Sequence, residues 1–208
     1  MSERSRFDKT YEDYLEQVSG LDLRTRADML GARMVENEMV IPFFSMEYRV
    51  SPQGIIDSSG KRPTHSIVVL LCKYILLCPE APPLGEDWVS YKDFKDAAPF
   101  VGSFVNHVEK TIARNFTGHL QRLRLAGEKL GGRRPDEEFP YQLSMRFDAL
   151  PRVPLLMLFN DEDDEFPAGC LVLFERRAER YLDMECLAIA GWLLADYLNK
   201  ELKTCMGS

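Results

Sequence analysis

The chain is poor in the residues that most often do chemistry. Its 208 residues include three histidines, His65, His107 and His119. No serine sits in a G-x-S-x-G elbow, and no G-x-x-x-x-G-K-[ST] or G-x-G-x-x-G loop is present to cradle phosphates. The most apolar run, Ile67 to Cys78, contains Lys73 and falls short of the roughly 20 apolar residues a bilayer requires. It reads as a buried helix. The opening MSERSRFDKTYEDY is charged and lacks the apolar core of a signal peptide. Five cysteines without an export signal predict reduced thiols in a cytoplasm. A net charge of −7 argues against non-specific binding to nucleic acid or an anionic membrane. Internal repeats and low-complexity linkers are also missing, which favours one domain over residues 1–208.

What is present is alternating helix and strand patterning. Residues 1–38 read as a helical N-terminal segment packing on a sheet domain. Within it, Tyr11, Tyr14, Leu15 and Val18 form a helical stripe closed by Gly20, and a second helix is expected over Leu23 to Glu36. Met46 to Ser51 alternates as a half-buried strand, with Ile55 to Asp57 as its short partner. Thr64 is placed to cap the apolar helix. The Pro-rich CPEAPPLGEDW must be a loop, and Trp88 to Phe94 reads as a short strand. Ser103 to Leu130 is helical in two pieces, divided near Thr117-Gly118. Tyr141 to Phe147 keeps an unbroken period of two, whereas Leu155–Phe159 and Cys170–Phe174 contain no polar residue. Strands apolar on both faces belong in the middle of a covered sheet, although Pro151 and Pro154 interrupt the approach to the first. Asp183 caps a long final helix, in which Gly191 points to a close helix contact. The fold class expected is α+β, a mostly antiparallel sheet covered by helices.

Residues 149–194, ALPRVPLLMLFNDEDDEFPAGCLVLFERRAERYLDMECLAIAGWLL, resemble a characteristic block of the bacterial and archaeal family called domain of unknown function 3786. PFFSMEYRVS, PPLGEDWVSYKDF and FVNHVEKTIARNF are similar to further parts of its pattern, so the likeness covers most of the chain. The resemblance implies a cytoplasmic protein of mainly anaerobic microbes. Some relatives carry an added cysteine-rich iron–sulfur module. The cysteines here, at 72, 78, 170, 186 and 205, include no closely spaced pair, and a ferredoxin-type cluster needs four such ligands. No cofactor is therefore expected, and the resemblance brings no catalytic residues.

Five acids, Asp161 to Glu165, stand between the two apolar strands. As a calcium loop numbered from Asp161, position 6 is Phe166 where glycine is required and position 12 is Val172 where glutamate is required; numbering from Asn160 fails too. The EF-hand is excluded. A block of like charge at a strand tip opposes edge-to-edge association, which is a structural reason for the run. Phe166 and Pro167 complicate a purely solvated tip, so Phe166 is expected to pack on the body and to orient Asp164 and Glu165 against a cation. Arg152 is the preferred partner and Arg49 the reserve. Trp88, after the Pro-rich loop, reads as a pocket wall or as a lid over the core.

Three further features have plain structural readings. His65 and Cys72 share a helix face, but two ligands make no metal site, so a core or capping histidine is expected and no bound metal. Cys170 heads an apolar strand and should be inert. Arg114, Arg122, Arg124, Lys129, Arg133 and Arg134 form a basic strip against the single acid Glu128, better read as a solvated helix face than as a nucleic-acid contact. Two functions follow as expectations. The first is a non-enzymatic binding or accessory module of anaerobic metabolism, recognising a partner protein or small ligand through the Trp88 loop and the acidic run, with a homo-oligomer left open. The second is an enzyme with Glu165 or Asp164 as general base, in a pocket with Trp88 and an arginine.

Overall fold

The computed structural model describes residues 3–206, and side chains within residues 7–204. Two helices come first, α1 (Glu3–Ser19) and α2 (Leu23–Leu30). Asp22 caps α2 by accepting from the Arg24 and Thr25 amides, and Gly31 ends it in the left-handed region at φ 67°. The helical N-terminus therefore stops at Leu30, short of both Glu36 and residue 38. The chain goes directly into a meander of β1 (Arg33–Val35), β2 (Glu38–Phe43), β3 (Met46–Ser51) and β4 (Gly54–Asp57), a four-stranded antiparallel sheet. α1 packs on α3 (His65–Leu76), and Tyr11 accepts the Ile55 amide of β4 at 3.0 Å.

The second sheet holds β5 (Trp88–Ser90), β6 (Leu143–Leu150), β7 (Val153–Asn160) and β8 (Gly169–Glu175), in the antiparallel order β5-β8-β7-β6. The two apolar strands are thus the central ones. Pro154 does not interrupt β7 but lies within it, opposite Asp148 where β6 slips its register, the setting in which a strand tolerates proline. The short β5 gives way after Ser90 to a 3-10 turn, Tyr91–Asp93, so the strand does not reach Phe94.

Between the sheets' strands run α4 (Ala98–Phe104), a π turn (Val105–Glu109) and α5 (Lys110–Phe116), which form one unbroken helix. Then come α6 (Leu120–Lys129) and α7 (Met184–Met206). Asp183 accepts the Cys186 amide at 2.9 Å and caps α7. Gly191 faces Phe104; a Cβ there would stand 2.5 Å from its ring. These helices cover the face of the second sheet that carries Met145, Phe147 and Phe174, and Gly127 of α6 touches Met145 and Phe147. The whole is one α+β arrangement with a single continuous core, and among the described residues no helix is long and apolar enough to cross a membrane.

Candidate functional site

The face of the second sheet turned away from the helices has its own cover. Register places Ser144, Arg146 and Asp148 of β6 beside Leu158, Leu156 and Pro154 of β7, followed by Leu171 and Leu173 of β8, with Glu175 and Trp88 at the far end. Leu156 is nevertheless fully buried and Leu158 is 3% exposed. Two features account for this. Arg146 lies along the face, its guanidinium 5.6 Å from the centre of the Trp88 ring and 3.5 Å from Glu175. Residues 133–142 then form a strap. Arg133 exchanges both backbone hydrogen bonds with Arg146 at the β6 edge, and at the opposite edge the Trp88 Nε1 donates to Glu137 at 3.1 Å. Trp88 belongs to β5, three strands from β6, so this side-chain contact links the strap to the far edge of the sheet.

Glu175 is the most deeply buried carboxylate of this face, 3% exposed. Arg177 Nε donates to its Oε2 at 2.7 Å, and Arg177 also binds Glu86 at 2.8 Å. Burial pushes the Glu175 carboxyl up, while Arg177 and Arg146 pull it down. The Nε of Arg146 is buried; it stands 3.5 Å from Asp148 Oδ1, ion-pair distance but without a directed hydrogen bond.

Beside the strap lies a cleft of about 500 Å³, walled by Arg124 and Glu128 of α6, by Arg133, Arg134, Glu137, Glu138, Phe139 and Tyr141 of the strap, and by Ser144 of β6. Arg133 is engaged by Asp148 at 3.2 Å and Arg134 by Glu138 at 3.2 Å. Among the described residues Arg124 has no ion-pair partner, and the buried Ser144 Oγ has no hydrogen bond. The basic strip is accordingly less free than its sequence suggests: Lys129 pairs with Glu201, Arg133 with Asp148 and Arg134 with Glu138, which leaves Arg122 and Arg124 as the open charges of α6.

The acidic run is arranged differently from expectation. Asp161 Oδ1 accepts the Gly118 amide at 2.7 Å, and Asp163 Oδ1 accepts the amides of Glu165 and Phe166 at 2.9 and 2.7 Å. The structural acids are therefore Asp161 and Asp163. Asp164 and Glu165 are exposed and form no ion pair among the described residues. Phe166 is 67% exposed rather than packed on the body, because the Asp163 turn directs it outward. Neither proposed arginine is at hand. Arg152 sits at the other end of β7, about 25 Å along the strand, where it donates to the Met29 and Asp28 carbonyls and caps the C-terminus of α2. Arg49 pairs with Glu38 across β2 and β3 at 3.3 Å. Of the six candidates only Trp88 meets an arginine, and it is Arg146, with Glu175 as the carboxylate.

Two signals for these partners lie in the sequence. Arg146 occupies the polar face of an otherwise regular alternating strand. Glu175 ends a wholly apolar run and is followed at once by Arg176-Arg177. Among the described residues no group of three or more His, Cys, Asp or Glu side chains is placed to hold a metal ion. The His65 ring lies 4.6 Å from that of Phe7, tilted by 39°, and its Nδ1 is buried without a partner. Burial pushes the Cys170 thiol well up, as expected of an inert cysteine. The Cys205 side chain lies outside the described residues.

Fold and cleft together define an α+β protein of two antiparallel sheets, with a strapped, arginine-bearing cleft on the second. The chain belongs to the family described as Domain of unknown function (DUF3786), whose model matches residues 22–197. That span contains both sheets and every residue of the cleft. No curated protein and no solved structure matches the chain.

Proposed function

We propose that the protein is a non-enzymatic binding module whose cleft, between α6, β6 and the 133–142 strap, receives a small polar ligand carrying an anionic group. One observation carries this reading: Arg124, an uncommitted guanidinium, lines the roughly 500 Å³ cleft, and the Ser144 hydroxyl, buried in its wall, has no hydrogen-bond partner. That volume falls within the range usual for small-molecule sites. Glu128, Glu137 and Glu138 on the same walls suit hydroxyl or ammonium groups elsewhere on the ligand. The Trp88 contact and the acidic tip flank the cleft: Glu137 holds Trp88, and Gln142 exchanges hydrogen bonds with Asn160 and Asp161. Against catalysis at Asp164 or Glu165 stands their position in open solvent. A cytoplasmic setting forms part of the reading, supported by the free thiols of Cys72, Cys78, Cys170 and Cys186.

Thermal denaturation against a panel of small carboxylates and phosphates tests the proposal. A ligand at a hundred times its Kd adds about 2.7 kcal/mol, a Tm rise of roughly 5–10 °C for a chain of this size. Arg124→Glu should abolish the rise while leaving the unliganded Tm unchanged. If no compound stabilises the protein, or if Arg124→Glu responds like the wild type, the cleft is not a ligand site.

A further inference from the structure

A second, smaller cavity lies on the other side of β5. Its volume is about 130 Å³, and its walls are mostly apolar, with Val101, Phe104, Val105 and Leu171 beside the Tyr91 ring. Into it comes one carboxylate, Glu109, only 8% exposed. The π turn Val105–Glu109 puts it there. A π turn inserts one residue into the helical repeat, which rotates all later side chains by about 100° relative to an uninterrupted helix. The Thr111 hydroxyl donates five residues back to the Asn106 carbonyl and helps hold this widened turn.

Glu109 has a structural duty that uses half of its carboxylate. Because β5 ends at Ser90, the Val172 amide of β8 has no strand partner on that side, and Glu109 Oε1 accepts it at 3.1 Å. A neutral glutamine would meet that need at less desolvation cost. Oε2 has no hydrogen bond among the described residues. Burial pushes the Glu109 carboxyl up, with the Val172 N–H and Lys92 holding it down. Lys92 lines the exposed rim without reaching ion-pair distance, and the buried Cys170 thiol is the other titratable group nearby.

A carboxylate with a free oxygen, set in a mostly apolar wall, is complementary to an alkylammonium: the charge pairs with the Glu109 carboxylate, and the alkyl chain fills the apolar remainder. We infer that this cavity is a binding site for a short primary alkylammonium group. A cavity of about 130 Å³ is well below the roughly 300–1,000 Å³ of drug-sized sites, so the ligand must be small, and n-propylammonium is a probe of that class. This site is independent of the Arg124 cleft, which selects the opposite charge.

Titration of the full chain with n-propylammonium chloride, followed by amide chemical shifts of Tyr91, Val101 and Leu171, tests the inference, with 1-propanol and sodium chloride as controls. Saturable shifts with a Kd on the order of 1 mM are expected, and Glu109→Gln, which keeps the acceptor for Val172, should weaken binding tenfold or more. Lys92→Ala, an exposed change that cannot disturb folding through the core, should tighten binding several-fold by removing the like charge at the rim. Non-saturable shifts, equal affinity for 1-propanol, unchanged affinity in Glu109→Gln, or weaker or unchanged affinity in Lys92→Ala would each overturn the site.

Discussion

Glu175 shows how a single residue organises one face of the molecule. It sits at the end of an apolar strand because Arg146 and Arg177 reach it from two directions, and those arginines are themselves largely buried, with side chains 25% and 19% exposed. Removing the acid leaves Arg177 with Glu86 and Arg146 with Asp148, and takes from both the one buried carboxylate they share. Truncating one partner of a buried ionic cluster costs about 3 kcal/mol or more, so Glu175→Ala should lower the Tm by roughly 6–12 °C for this chain length. A change under 2 °C would mean that water already solvates the cluster. Much at this scale was legible in the sequence: Asp183 as a cap, Cys170 as an inert thiol and Gly191 as a close contact. The arginine partners were not. Arg152 and Arg49 are near the acidic run in sequence order, or share a predicted sheet with it, but a strand sends its two ends some 25 Å apart. Proximity along the chain said nothing about which end each occupied.

Among the elements, the central strands β7 and β8 were readable because they are apolar on both faces, and α6 because its period is regular. The first sheet was only half readable. β2 carries Pro42 and an unalternating apolar run, Met39-Val40-Ile41, so no period of two announces it, and β1 is three residues long. The strap was not legible at all: residues 133–142 have loop composition, and their role depends on Trp88, which arrives from 49 residues away. That contact gives a prediction. Trp88→Phe keeps an aromatic ring at the position and removes the Nε1 donor to Glu137. One such hydrogen bond contributes about 1 kcal/mol, so amide hydrogen exchange at Arg133, Tyr141 and Gln142, the hydrogen-bonded amides of the strap, should speed up roughly five-fold while exchange in β7 and β8 stays as it was. Equal acceleration throughout would show that Trp88 supports the core rather than the strap.

On the scale of the whole molecule, the helices seal one face of the second sheet completely, and the strap and Arg146 seal the other only in part. The cleft is what that partial cover leaves open. Composition predicted an acidic protein without a familiar catalytic set, and the structure places its open charges accordingly. The acidic tip is tied down by Asp161 and Asp163, most of the basic strip is spent on ion pairs, and Arg124 is left facing a concave, polar space. The claim that this space is a binding site is tested most directly by mapping amide chemical shifts on the protein titrated with the compound that most raises its Tm. Saturable shifts confined to residues 133–145 and to α6 around Arg124 are expected, with their loss in Arg124→Glu. Shifts centred elsewhere, or the same pattern in Arg124→Glu, would contradict the claim.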